Sequence, residues 1–293
     1  MNMLRSLLFV PGDSEKKLTK STSTSADALI LDLEDSVAPE RTSIARSMVA
    51  DFLKAHPKRT QQQLWVRINP LQTPEALADL VAVMAGKPDG IMLPKPLNAK
   101  HAQQLDHYLS ALEMREGLTL GSTRIIPVAT EVPGAVFDLS SYAVASPRLL
   151  GLTWGAEDLA TAIGAASNKD ASGEFSFTYK LARSLCLLAA AHAQIQAIDT
   201  LSVDFRNFAA LALDVQAARK EGFTGKLAIH PDQVEVINQG FTPSAQDIAH
   251  AQSIIDAFAK ASGAGAIQID GKMVDKPHLT QALRLMDIFS RKT

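Results

Sequence analysis

The chain has 293 residues, room for one large α/β barrel or two ordinary domains. Hydrophobic residues make up 46% and charged residues 20%, which excludes a disordered chain. Basic side chains number 29 against 31 acidic ones, so no nucleic-acid-scale field exists, and one cysteine excludes an internal disulfide framework.

No run reaches the roughly 18 to 20 apolar residues of a membrane span. Residues 1–10 carry Arg5 inside an apolar run with no small-residue cleavage site behind it, and read as a first strand rather than a signal peptide. A cytoplasmic protein with no membrane or nucleic-acid partner is expected. Further apolar runs of strand length follow at 28–33, 64–68, 90–93, 124–130 and 149–154, with weaker ones at 200–205 and 227–229. Helical patterns fill gaps between them at 44–54, 74–84, 99–115, 177–197 and 208–221. Eight strands alternating with helices predict an α/β fold, a (β/α)8 TIM barrel over residues 1–240. Residues 241–293 form a C-terminal helical segment of the same domain, a helix at 244–262 and then a lid or oligomer arm hinged at Gly263-Ala264-Gly265. A doubly wound sheet is the other candidate, but no GxGxxG follows the first strand.

Polar residues follow nearly every predicted strand: Asp13, Glu34 and Asp35, Arg67, Lys95, Glu131, Asp158, Asp204 and His230. In a barrel these ends converge on the catalytic face. Glu131 and Asp158 end adjacent strands five and six, and two carboxylates with waters and a substrate oxygen suit Mg2+. A helix N-cap for Asp158 and a surface ion pair for Glu131 are the alternatives. Asp32, Glu34 and Asp35 put three acids at one rim. Arg67 lies in an otherwise apolar strand, so it pairs with these acids or grips a substrate carboxylate in two-pronged fashion. Arg5 has an ion pair with the strand-two acids as its alternative. Lys16 and Lys20, four apart, share one face of the first helix, which suits phosphate groups or simply a solvated surface. Cys186, in an apolar helix, reads as core, and His192 and His250 as structural or exposed.

Seven segments in order carry a resemblance: Arg5-Ser6-Leu7-Leu8-Phe9-Val10-Pro11-Gly12, Leu31-Asp32-Leu33-Glu34-Asp35-Ser36-Val37, Val66-Arg67-Ile68-Asn69, Leu93-Pro94-Lys95, Gly155-Ala156-Glu157-Asp158-Leu159, Ile229-His230-Pro231 and Asp270-Gly271-Lys272-Met273-Val274-Asp275. Together they resemble the citrate lyase β-subunit-like family of the HpcH/HpaI aldolase and citrate lyase group. The resemblance implies Mg2+ held by Glu131 and Asp158, a substrate carboxylate held by Arg67, and Asp35 among the surrounding acids. It implies backbone amides at Gly134 and Ala135 for the substrate's acidic end. It also implies a coenzyme A path along Phe9, Lys16, Lys20, Ile229 and His230, and Asp275 as an acid/base delivered from a neighbouring subunit. One departure stands out: where the family has Thr or Ser and then Ala after the metal glutamate, this chain has Glu131-Val132-Pro133-Gly134.

The expected activity is Mg2+-dependent carbon–carbon cleavage of a citryl-, malyl- or citramalyl-CoA thioester to an acyl-CoA and a 2-oxo acid, with thioester hydrolysis or the reverse condensation as variants. Two other readings stand beside it. One is a citrate lyase β subunit working on a carrier protein's thioester; the other is a metal-dependent 2-oxo acid aldolase without a thioester. A homo-oligomer of three subunits, or a multiple of three, is expected from the family.

Overall fold

The computed structural model describes residues 3–261, 263–269 and 271–290. Asp270 of the quoted Asp-Gly-Lys-Met-Val-Asp segment, Ser262 at the end of the predicted helix, and residues 1, 2 and 291–293 lie outside that range. The described residues divide into two compact units, residues 4–238 and the described part of residues 239–290 with Met3.

In the first unit eight parallel strands alternate with helices: β1 (Ser6–Pro11), β2 (Ala28–Asp32), β3 (Gln63–Arg67), β4 (Gly90–Leu93), β5 (Arg124–Pro127), β6 (Gly151–Thr153), β7 (Gln196–Asp199) and β8 (Gly225–Ala228). Their lateral order is β5-β4-β3-β2-β1-β8-β7-β6. The remaining joint, between β5 and β6, is made by isolated parallel bridges Ile125–Leu149 and Val128–Thr153. Backbone bonds such as Ala129 N to Thr153 O, at 2.8 Å, support it. The sheet therefore closes, and the fold is the expected (β/α)8 TIM barrel.

Leu4, Leu7, Ala28, Ile30, Trp65, Met92, Ile126, Val128, Ile198 and Leu227 form a buried cluster drawn from most of the strands. Trp65 sits beside Gly90 in the register. A Cβ on Gly90 would lie 2.2 Å from its indole, so only glycine admits the ring there. Filling a core with side chains from alternate strands is what makes such a barrel a solid body rather than a pore.

Most predicted strands are observed with shifted ends, but the seventh is misplaced. Residues 200–205 are a loop, and β7 is Gln196–Asp199. The preceding helix, Phe177–His192, stops five residues before the predicted end because the chain reverses at Gln194, in the left-handed region at φ 56. The residue that ends strand seven is therefore the buried Asp199, not the exposed Asp204. Asp199 accepts from Trp154 Nε1 at 2.7 Å and from Arg183 Nε at 3.0 Å. Arg5 binds Asp27, just before β2, rather than the acids at that strand's far end.

A second buried network fastens the helix Lys100–Arg115 to the wall. Glu113, fully buried, takes both prongs of Arg148 at 2.8 Å and the amides of Thr123 and Gly121 at 2.8 Å. Burial opposes its ionisation, but Arg148 and the two amides outweigh it and pull the carboxyl from 4.5 to about 2. That depression stabilises the fold by about 3 kcal/mol at neutral pH. The contribution is complete above the unfolded pKa and fades as pH falls toward the folded one. Glu113→Gln is thus expected to lower unfolding free energy at pH 7, with the gap to wild type narrowing by pH 3. Denaturant titrations at the two pH values check this, and a constant gap would contradict it.

The second unit has a helix, Ala245–Lys260, whose N-terminus carries a reciprocal Ser244–Asp247 capping box. An antiparallel hairpin of β9 (Ala266–Ile269) and β10 (Lys272–Asp275) follows, then the helix Lys276–Ser290. Ala251, Ile254, Val274 and Ala282 are its buried core, with Ile255, Phe258, Ile267, Ile269, Leu285 and Met286 around them. Among the described residues no helix is long and apolar enough to cross a membrane.

Candidate active site

Parallel pairing sets Arg67, the last residue of β3, beside Asp32, the last of β2. Asp32 is 1% exposed and takes Arg67 Nε and Nη2 at 2.7 Å each. Its oxygens also accept the amides of Glu34 at 3.1 Å and Ser36 at 3.2 Å, which bends the chain off the strand end. That turn breaks the period-two alternation, so Glu34 and Asp35 both face the rim. Asn69 Nδ2 donates to Leu33 O at 2.9 Å and holds the same loop from the β3 side. Arg67 Nη1 then lies 2.9 Å from Glu34 Oε2, without the alignment of a hydrogen bond, and 3.5 Å from Asp35 Oδ2. The Phe9 ring lies under the guanidinium, 4.7 Å from centroid to Cζ.

Of the two partners open to Arg67 in the sequence, the acids are the ones it holds. Its two-pronged edge is taken by Asp32, which leaves only Nη1 turned toward the rim. Burial works against ionised Asp32, yet Arg67 wins and holds its carboxyl below the usual range. Glu34 goes the other way. Burial dominates over Arg67 and Lys95 and pushes it up to about 7.

Lys95 follows β4 in the sequence Pro94-Lys95-Pro96 and has a left-handed backbone at φ 47, which costs an L-residue about 1–2 kcal/mol. This geometry aims its N–H at Glu131 Oε2, 2.6 Å away. Its Nζ lies 2.5 Å from Glu34 Oε1, 3.1 Å from Asp35 Oδ1 and 3.3 Å from Asp158 Oδ1.

Glu131 is buried at 5% exposure, not the surface ion-pair residue of the alternative reading. Burial, and secondarily the negative charge of Asp158, raise its carboxyl well above the ordinary range. Asp158 is the second residue of the short helix Glu157–Ala162, whose N-cap is Ala156, so it is not the cap itself. Gly155 N donates to Thr130 Oγ1 at 3.2 Å and ties the two carboxylate-bearing loops together. A Cβ on Gly155 would stand 2.7 Å from Glu131 Cγ and 3.1 Å from Oε1. The missing side chain makes the space in which the Glu131 carboxylate lies.

Ala135 N already donates to Val132 O at 2.9 Å, whereas Gly134 borders open space. Lys16 and Lys20 are exposed on the helix Glu15–Ser21. His230 stacks on Phe205 at 4.8 Å, with Ile229 37% exposed beside it in the chain. Asp275 lies in the second unit, its Oδ1 2.5 Å from His278 Nδ1. Cys186 is fully buried and its thiol is pushed up by burial, as core rather than nucleophile. In the sequence Lys95 is one of the strand-end polar residues and Gly155 part of a matching segment, but neither has an assigned contact there. A Lys between two prolines at a strand end was the available signal for the first, and a glycine three residues before the metal-type aspartate for the second.

The arrangement brings five carboxylates and two cationic side chains to one end of the barrel wall, the end where catalytic groups of this fold gather. Among the described residues no three acidic, histidine or cysteine groups form a metal cage. A hard cation here would rest on two carboxylates plus water and substrate oxygens.

Comparison with known proteins finds relatives along nearly the whole chain. The chain is 33% identical over 289 residues to citrate lyase subunit beta of Haemophilus influenzae, covering 98% of this chain and 97% of that one. It is 33% identical to the mitochondrial citramalyl-CoA lyase of Rattus norvegicus, covering 97% and 85%. A crystal structure of protein CitE from Mycobacterium tuberculosis, in complex with magnesium, acetoacetate and coenzyme A, superposes with a TM-score of 0.80 at 29% identity, covering 97% of each chain. The model of the family HpcH/HpaI aldolase/citrate lyase matches residues 5–231, and the chain belongs to that family.

Proposed function

We propose that this protein is a carbon–carbon lyase acting on a hydroxyacyl-CoA thioester of the citryl, malyl or citramalyl type, releasing an acyl-CoA and a 2-oxo acid. The observation that carries the reading is the buried Glu131 carboxylate, near enough to Asp158 to feel its charge, beside the Arg67 cluster. The donor set fits Mg2+: hard oxygen ligands, with Glu131 lying in the space that Gly155 leaves free. Glu131 and Asp158 would hold the ion, which when bound supplies Lewis-acid polarisation of a substrate oxygen.

The chain's own residues do the rest. Arg67 Nη1 orients the carboxylate of the 2-oxo acid half, its guanidinium fixed by Asp32 so that little freedom is lost on binding. Asp35, at the exposed edge of the cluster, and the amide of Gly134 complete that end. As the carbon–carbon bond breaks, the hydroxyl group becomes the keto group, its O–H proton passes to solvent, and the bonding pair goes to the acyl-CoA carbon. The acyl-CoA carbon takes up a proton, for which Asp275, brought from a neighbouring subunit, is the donor. Lys16 and Lys20 meet the coenzyme's phosphates, with Phe9, Ile229 and His230 along the thioester path. A homo-oligomer of three subunits or a multiple of three would supply the Asp275 exchange.

The test is turnover of citryl-, malyl- and citramalyl-CoA by purified protein, with Mg2+ and after chelation. One of them is expected to be cleaved without partner proteins and only with the metal. Turnover of a carrier-protein thioester alone would instead make the chain a citrate lyase subunit. In the same assay Lys16→Ala/Lys20→Ala is expected to raise KM for the thioester about ten-fold or more, through lost contacts to charged groups. An unchanged KM would favour a plain 2-oxo acid aldolase.

A further inference from the structure

Lys95 commits every polar group it has to the acidic rim and its surroundings. The N–H goes to Glu131, the carbonyl accepts Gln72 Nε2 at 3.0 Å, and Nζ is divided among Glu34, Asp35 and Asp158. An ammonium has three donors, and here they meet carboxylates from two separate loops. The backbone is held between Pro94 and Pro96 in the left-handed region at φ 47, the conformation that turns its N–H to Glu131.

The three side-chain contacts are unequal. Nζ is closest to buried Glu34, and its longest reach, 3.3 Å, is to Asp158, whose side chain is 34% exposed. Arg67 cannot redistribute in the same way, because Asp32 holds two of its nitrogens. A lysine can: it is a point charge on a flexible stem, and it can leave one carboxylate while keeping others. Counting Asp32, Glu34, Asp35, Glu131 and Asp158 against Arg67 and Lys95, the rim has more acid than base. Five acids against two bases leave room for a divalent ion, which would compete with Lys95 at Asp158.

We propose that Lys95 is a built-in counter-cation of this site. Its ammonium neutralises Asp158 together with Glu34 and Asp35 when no divalent ion is bound, its main chain fixes Glu131, and the Nζ–Asp158 contact gives way when the ion arrives. This rests on Glu131 and Asp158 being the cation ligands. Lys95 is then a positioning residue that sets how tightly the ion is held. Removing its charge should strengthen divalent binding, whereas removing a merely structural contact would leave it equal or weaker.

Calorimetric titration of the full chain with Mg2+, with Mn2+ followed by electron paramagnetic resonance as a second measure, separates the two. Lys95→Met is expected to bind about ten-fold more tightly than wild type, from the loss of a like charge a few ångströms away. Its unfolding temperature should be lower without divalent ions and rise more on adding Mg2+. Lys95→Arg, which keeps the charge, should stay within about three-fold of wild type. Lys95→Gln has no charge but keeps a donor, carries the same expectation as Lys95→Met, and serves if the latter does not fold. Equal or weaker binding by the uncharged variants overturns the counter-cation role while leaving the metal site intact. Absence of divalent binding by wild type overturns the metal site itself, and the role with it.

Discussion

Glu131→Gln is expected to abolish divalent-ion binding and lower kcat/KM by about a thousand-fold or more while leaving the barrel as stable as before, or more so. The activity loss follows from removing one of the two proposed protein ligands, since a Lewis-acid contribution of several kcal/mol corresponds to about three decades in rate. The stability expectation follows from the direction of the Glu131 shift. A carboxyl raised in the folded state binds its proton more tightly there than in the unfolded chain, so stability falls as pH rises through that range. Glutamine carries no charge to desolvate, keeps an oxygen for the Lys95 amide, and escapes this penalty. Gly155→Ala tests the same site from the other side. Its methyl would meet Glu131 Cγ at 2.7 Å, so the carboxylate must move even though its chemistry is unchanged. Thermal unfolding with and without Mg2+, beside steady-state kinetics, checks both variants. A fully active Gly155→Ala protein would sink the account of how Glu131 is placed.

Arg67→Met carries the largest expected loss of stability, about 3–5 kcal/mol, because it strands acids that the fold has taken out of water. Arg67 is 11% exposed and Asp32 1%, and no other cation is within ion-pair distance of Asp32 among the described residues. In a chain of this size the loss corresponds to an unfolding temperature lower by about 5–8 °C. A cycle with Asp32→Asn gives the sharper measurement. Once Arg67 is gone, neutralising Asp32 should recover part of the loss, with a coupling of about 1–3 kcal/mol. Additive effects would mean that the pair is not the unit it looks like. The sign with pH is fixed by the depressed Asp32 carboxyl: its contribution is present above the ordinary aspartate pKa and fades as pH falls below it.

The barrel and its acidic rim were legible because strand ends and polar residues coincide in the chain. Arg67, Glu131 and Asp158 each follow an apolar run, and a barrel has one place to put such residues. The seventh strand was not legible. Gln196–Asp199 has only two apolar residues, and they continue the alanine-rich pattern of the helix before it. Only the reversal at Gln194 separates the two, and that turn has no glycine to announce it. The division of labour at the rim was also hidden. Which acid clamps Arg67, and which meets Lys95, depends on strand register and on the turn that Asp32 makes with Glu34 and Ser36. Neither is local in sequence.

The joint between β5 and β6 differs from the rest of the wall. The other seven joints of the wall are continuous strand ladders, while this one consists of isolated bridges. Glu131 and Asp158 stand past its two sides. Any molecule gripped by both carboxylates spans the seam, so its binding free energy is added to the cohesion of the wall where the ladder is interrupted. A ligand held by both carboxylates would in this sense be a stave that braces the closed cylinder at its least-laddered joint.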